Sequence, residues 1–269
     1  MPSVLFGAEY PVLFALSGLA YTFFCLLLAR ITLPGPWSGE QLFFAGNNRN
    51  AGFPPYAEPL AAILGALSFL VIPPGGPAGG LPAFWNIPCG AAVWLALLIL
   101  AQALFLRPFA FRAAFLLLIV RPALLAGFFA LAALYARKNG MPGSLTAFDG
   151  YAAYPLWQFP GALGRTGLAL LTLALLPSLV PPWRLDEAPC QRVWRLSLAA
   201  VFVTLFAPWN PAAFLSPPRA MPQLPAVLGF FFFWVKTLLA AYLLPLPAAF
   251  LRFPLPRLLC AAAAAALLL

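Results

Sequence analysis

Long apolar runs, interrupted by short clusters of Arg, Pro and Gly, dominate the chain from end to end. A helix needs about 20 apolar residues to cross a hydrocarbon core of about 30 Å. On that measure the pattern predicts eight spans: Pro11–Ala29, Pro59–Ile72, Phe84–Leu106, Ala113–Tyr135, Gly161–Val180, Leu196–Ala207, Pro225–Leu244 and Leu258–Leu269. The second is short and contains Gly65, and the sixth and eighth are also short for a crossing. The N-terminus carries Glu9 where a secretory signal has a basic region, so the first span is expected to remain in the mature protein.

The connectors divide into two kinds. Residues 30–58 form a long polar loop rich in Gly, Pro and Asn and residues 137–160 a second long loop, whereas 73–83 (PPGGPAGGLPA) carries no charge. Those glycines lack the Lys and the helix start of a phosphate cradle, so a turn is the better reading. Residues 181–195 (PPWRLDEAPCQRVWR) form the most charged segment, and the pattern places them in a loop. Trp157, Trp183, Trp194, Trp209 and Tyr154 are expected near the membrane interfaces, where amphipathic rings settle.

Composition turns this pattern into a class. Of 269 residues, 64% are hydrophobic and 8% charged, with a mean hydropathy of +0.94. Soluble domains are about half apolar and a quarter charged. The expectation is an all-α integral membrane protein, a bundle of about eight transmembrane helices, some short or broken. Residues 1–269 form a single polytopic domain on this reading. The net charge of +9 does not indicate nucleic acid, because the cations are scattered between apolar runs. They set orientation instead. With the N-terminus outside, the inner loops hold Arg30, Arg49, Arg107, Arg112, Arg184, Arg192, Arg195, Arg252 and Arg257. The outer loops then hold only Arg137, Lys138, Arg165 and Arg219, so both termini are expected on the outer side of a bacterial or archaeal inner membrane.

The absence of His removes bis-His haem, His-ligated metal and Ser-His or Cys-His pairs. Cys25, Cys89, Cys190 and Cys260 are widely spaced and read as apolar fillers. No cofactor, no metal and no catalytic centre within this chain are expected.

Several segments, in order, resemble the NuoH family, the membrane subunit at the heel of respiratory complex I. Its relatives include the anchors of formate hydrogenlyase and of group 4 energy-converting [NiFe]-hydrogenases. The clearest is FFFFWVKTLLAAYLLPLPAAFLRFPLPRLL, residues 230–259, which is similar to the family's aromatic run, Lys-Thr-Leu-Leu element and Pro/Arg-rich exit. RPALLAGFFALAALYA (121–136) and SLVPPWRLDEAPCQ (178–191) resemble two further family elements. The likeness covers residues from about 100 onward; earlier segments agree only in span order. It implies about eight spans and an outer N-terminus.

The departures bear on function. The family's loop after the fifth span carries a run of carboxylates around a quinone cavity; here it keeps only Asp186 and Glu187, then Arg192 and Arg195. Arg121 stands where the family has an acid before the Pro. The six carboxylates, Glu9, Glu40, Glu58, Asp149, Asp186 and Glu187, all fall in predicted loops or at span edges. A proton relay needs polar groups spaced through the bilayer. The resemblance thus implies a membrane anchor or coupling subunit of a redox complex in which the acidic proton and quinone path is largely lost. Its expected partners are a peripheral redox module on the inner face, antiporter-like membrane subunits and the lipid bilayer.

Arg184, Asp186, Glu187, Arg192 and Arg195 are the candidate docking residues; for any one of these arginines, contact with lipid headgroups is the plainer alternative. Reversal of Arg184 and Arg192 together is expected to release the peripheral module while leaving the membrane part folded. Arg121 and Lys236 are the two intramembrane cations. Lys236 lies about 16 Å into its predicted span and Arg121 about 12 Å into its own, at 1.5 Å per residue. Such a charge needs an acid from another subunit, a carbonyl freed at a broken helix, or water, and the first is favoured here. Snorkelling is the alternative for Arg121. Two other classes remain: a stand-alone transporter or channel, which broken helices favour, and a lipid enzyme, which lacks the needed acids or nucleophile.

Overall fold

The computed structural model describes residues 10–32, 57–74, 89–104, 115–141, 148–180, 189–209 and 224–268. They form an all-α fold, with no strand among the described residues. The main helices are α1 (Tyr10–Thr32), α2 (Ala57–Leu67), α3 (Gly90–Ala103), α4 (Arg121–Lys138), α5 (Phe148–Ala153) and α6 (Ala162–Leu179). They are followed by α7 (Pro189–Phe206), α8 (Leu224–Leu243), α9 (Pro245–Phe250) and α10 (Pro254–Leu268). Each of the eight predicted spans falls on one of these helices.

Among the described residues, three helical stretches are long and apolar enough to cross a bilayer: Leu118–Lys138, Ala162–Leu179 and Leu224–Phe250. Gly18–Ile31, Pro59–Val71, Gly90–Ala103 and Pro254–Leu268 are shorter apolar helices. The chain is thus a helical membrane protein by length and composition. The apolar character does not end at the core. Phe23, Leu27 and Ile31 on α1, and Val227, Phe231, Val235 and Leu239 on α8, recur every fourth residue and stay exposed. A helix apolar on both its buried and its outer face is suited to lipid or a neighbouring span rather than water.

Prolines set several helix boundaries. A Pro lacks the N–H of the helical ladder, and its ring presses on the carbonyl four residues back. Before Pro122 the chain takes a wider π-helical turn, Phe115–Val120, which runs into α4. The expected disturbance at Pro122 is therefore a widened turn rather than a break. Pro245 and Pro247 interrupt the ladder between α8 and α9, yet Leu244 N–H still reaches Ala240 O at 2.8 Å and Ala248 N–H reaches Leu244 O at 3.2 Å.

Helix α7 is the centre of the fold, packed on α1, α2, α5 and α8. Every residue from Arg192 to Val201 is buried. Gly65 on α2 permits the close approach, because a Cβ there would lie 2.9 Å from Val193 Cγ1. Two aromatic groups fill the spaces between helices. Trp94 meets Phe129 and Phe148 edge-on, at centroid distances of 6.3 and 5.9 Å. Trp234 is surrounded by Tyr21, Phe24, Phe69 and Phe230. Edge-on and tilted geometries of this kind match the ring quadrupoles.

The last helix begins at Pro254, four residues before the predicted start, and lies antiparallel on α6. Arg257 fixes one end of the pair: its Nε donates to Ala174 O at 3.1 Å and its Nη2 to Ser178 Oγ at 2.6 Å. At the other end Gly167 receives Leu267 and Leu268, and a Cβ there would come within 2.8 Å of Leu268 Cγ. The other side of α6 meets α4 through Tyr135, whose ring lies where a Cβ on Gly164 would fall, 2.1 Å away. Its hydroxyl donates to Pro160 O at 2.6 Å.

Candidate functional site

Helix α7 ends where Pro208 withholds the N–H that would continue the ladder to Thr204. Ala207 N–H still reaches Val203 O at 2.8 Å, and residues 207–209 then leave the helix. In such a segment, carbonyls two residues apart can face the same way. Here both meet one cation: Lys236 Nζ donates to Ala207 O at 2.6 Å and to Trp209 O at 2.5 Å. The ammonium also lies 4.7 Å from the centre of the Trp209 ring. Two carbonyl dipoles, a helix C-terminus and a π-face all present negative potential to the charge.

The depth of this arrangement matters. Lys236 is the thirteenth residue of α8, about 18 Å from its start at 1.5 Å per residue, and about midway along the apolar stretch Leu224–Phe250. Helix α7 therefore ends level with the middle of its neighbour. Of the three counter-groups considered for Lys236, this chain supplies the carbonyls of a broken helix. Among the described residues, the half-buried ammonium is satisfied without an acid. Trp209, itself exposed, contributes both its carbonyl and its ring to this site.

The remaining candidates separate. Arg121 opens α4 directly after the π-helical turn and is half-buried. Arg184, Asp186 and Glu187 lie outside the described residues. Arg192 and Arg195 belong to helix α7 and not to a loop, and they are 0% and 1% exposed. Their charge suggested a solvent-facing loop, but the helix starts at Pro189, a residue well suited to a first helical position, and carries both into the core. Of the five docking candidates, the two that are described are thus inside the bundle and not at its surface. Trp194 is also drawn inward and donates to Leu179 O at 3.1 Å, linking α7 to the end of α6.

A second polar group joins three helical segments. Ser68 Oγ lies 2.5 Å from Gly65 O and donates to it, which uses its single proton. Ser197 Oγ, 2.8 Å from Ser68 Oγ, must then donate to Ser68, while it accepts from Trp94 Nε1 at 2.8 Å. The direction is fixed throughout: Trp94 to Ser197 to Ser68 to Gly65. Isolated Ser and Trp residues inside apolar runs have no spacing that would have shown this in the sequence.

Thr22, Thr166, Thr172 and Thr204 each donate to the carbonyl four residues back, the usual way to satisfy a hydroxyl in a helix. Thr237, fully buried beside Lys236 in sequence, has no partner among the described residues, and neither does Trp234 Nε1 one turn earlier. Between α4, α6 and α7 lies an apolar crevice of about 50 Å³, lined by Leu125, Phe128, Leu176, Leu198 and Phe202 among others. Thr172 also faces it, but its hydroxyl is committed to Leu168 O, leaving no free polar group there to orient a substrate.

No protein-family model matches this chain, and no curated protein matches it. Its function has to be argued from the residues themselves.

Proposed function

We propose that the chain is a membrane anchor or coupling subunit of a multisubunit complex I-like or energy-converting hydrogenase-like redox assembly. On this reading the chain traverses the inner membrane about eight times, α7 being the helical half of a broken span, with both termini outside. A peripheral redox module sits on the inner face, and antiporter-like subunits flank the bundle. The carrying observation is Lys236. It lies in residues 230–259, the segment with the clearest likeness to the heel subunits, midway along an apolar stretch long enough to cross a bilayer, and its ammonium is held by the carbonyls of Ala207 and Trp209. A fixed intramembrane charge suits a subunit that continues a row of charged residues across an assembly. Further support comes from the many large apolar side chains left exposed on α1, α8 and α10, which suit neighbouring spans.

The peripheral module would meet the connectors on the inner side, among them the segment carrying Arg184, Asp186 and Glu187. Arg192 and Arg195 would support that face from inside the bundle. The test is purification of the tagged chain from native membranes in mild detergent. Stoichiometric recovery of a redox module with antiporter-like chains is expected. Recovery of the chain alone, in a form that moves an ion or solute across liposomes, would overturn the proposal.

That outcome would favour the second reading, a stand-alone transporter or channel. One observation favours it: a helix ending in mid-membrane with its carbonyls around a cation is the architecture transporters use for coupling ions.

A further inference from the structure

Among the described residues, the Lys236 site has the ligands of an ion site and not those of a salt bridge. Its donors are two main-chain carbonyls, those of Ala207 and Trp209, and one aromatic face. Unwound carbonyls at the C-terminus of a helix broken near the bilayer middle are what membrane proteins present to Na⁺ and similar ions. A structural ion pair would place a carboxylate there, and none stands there among the described residues; residues 189–268 contain no Asp or Glu. The lysine stem enters from α8, so the charge is delivered by one helix and received by another.

We propose that the carbonyl end of α7 is a monovalent-cation site that the chain fills with its own ammonium. Lys236 acts as a tethered plug. It satisfies the carbonyls freed beyond Phe206 and denies the position to a free ion, so the wild-type protein is indifferent to the cation in solution. Removal of the tether uncovers a site for small cations that accept carbonyl oxygens. Ammonium is the closest mimic, because its N–H groups reproduce the donors lost with Lys236. Tetramethylammonium has the charge but no donor, and can meet only the Trp209 ring. This inference does not depend on the anchor reading, since it concerns the stability of the chain itself.

The experiment compares thermal unfolding of the full-length wild type, Lys236→Ala and Lys236→Met in detergent. Each is measured in ammonium, Na⁺, K⁺, tetramethylammonium or N-methylglucamine chloride at one ionic strength. The wild type should unfold at the same temperature in all five. Lys236→Ala should unfold earlier in N-methylglucamine and recover by about 3 °C or more in ammonium, and in part in Na⁺ or K⁺, as binding to the folded state requires. Tetramethylammonium should recover little. Lys236→Met lacks the charge but fills the space, so it should recover in none. Equal behaviour of folded Lys236→Ala in every salt would overturn the proposal. So would equal recovery of the Met variant, which would make the effect a general one of salt. Lys236→Ser repeats the series if the alanine variant does not fold. Failure of both to fold even in ammonium would also refute the site, because a filled site should support the fold.

Discussion

Trp94 and Ser197, 103 positions apart in the chain, are joined by a 2.8 Å hydrogen bond inside the helical core. The bond ties α3 to α7, and through Ser68 it reaches the 3₁₀ turn Ser68–Val71 that ends α2. In a lipid-facing bundle the apolar effect does not favour one helix neighbour over another, so directional contacts of this kind help to specify which helices meet.

Ser197→Ala should therefore lower stability by about 1–2 kcal/mol, since it leaves the buried Trp94 N–H without an acceptor. Trp94→Phe added to it should cost less than in the wild-type background, because the orphaned donor is gone. Unfolding of the two single variants and the double variant in mixed detergent micelles measures the coupling. Additive losses would mean that the hydrogen bond contributes nothing specific.

The Gly164 contact predicts a steric effect. A methyl group there would overlap the Tyr135 ring, so Gly164→Ala should destabilise by about 1–3 kcal/mol through overpacking. Tyr135→Ala in the same protein should relieve part of that loss, although it forfeits the bond to Pro160 O. If the double variant is as unstable as the sum of the singles, the α4–α6 contact is looser than described.

Burial changes what Arg192 and Arg195 can be used to test. Arg192→Glu or Arg195→Glu should reduce the folded fraction itself, with a loss of about 3 kcal/mol or more for a misplaced buried charge. Arg252→Glu, at an exposed turn, should be tolerated. Size-exclusion profiles of the three variants in detergent decide this. The paired reversal of Arg184 and Arg192 is consequently a poor test of docking, because release of a module would be confounded with misfolding; Arg184→Glu alone is the cleaner choice.

Cysteine labelling tests the orientation. Cys89 is exposed just before α3, on the outer side if the N-terminus is outside. In a variant retaining only Cys89, a membrane-impermeant maleimide should react with intact cells. A variant retaining only Cys25, which is 0% exposed, should react only after denaturation. Reaction of Cys89 only in inverted vesicles would reverse the assigned sidedness.

The positions of the helices were legible because each sums the preference of many apolar residues. The position of Lys236 well inside its helix followed from a residue count. Its partners did not, since they are backbone oxygens 27 and 29 residues away in sequence, and any residue type carries such an atom. Arg192 and Arg195 were misplaced for the opposite reason: charge marks exposure in most contexts, and only packing on α1, α2, α5 and α8 puts these two inside. Arg257 likewise reads as an orientation signal in the sequence, whereas in the fold it joins α10 to α6 through Ala174 and Ser178.

The pairing of α6 with α10 also has a consequence in time. Helix α10 begins about ninety residues after α6, so at a synthesis rate of about 5–20 residues per second α6 enters the bilayer several seconds before it. During that interval the groove at Gly167 has neither Leu267 nor Leu268 in it, and Ala174 and Ser178 await Arg257. A nascent chain stalled before α10 thus exposes an unfilled glycine groove within the membrane.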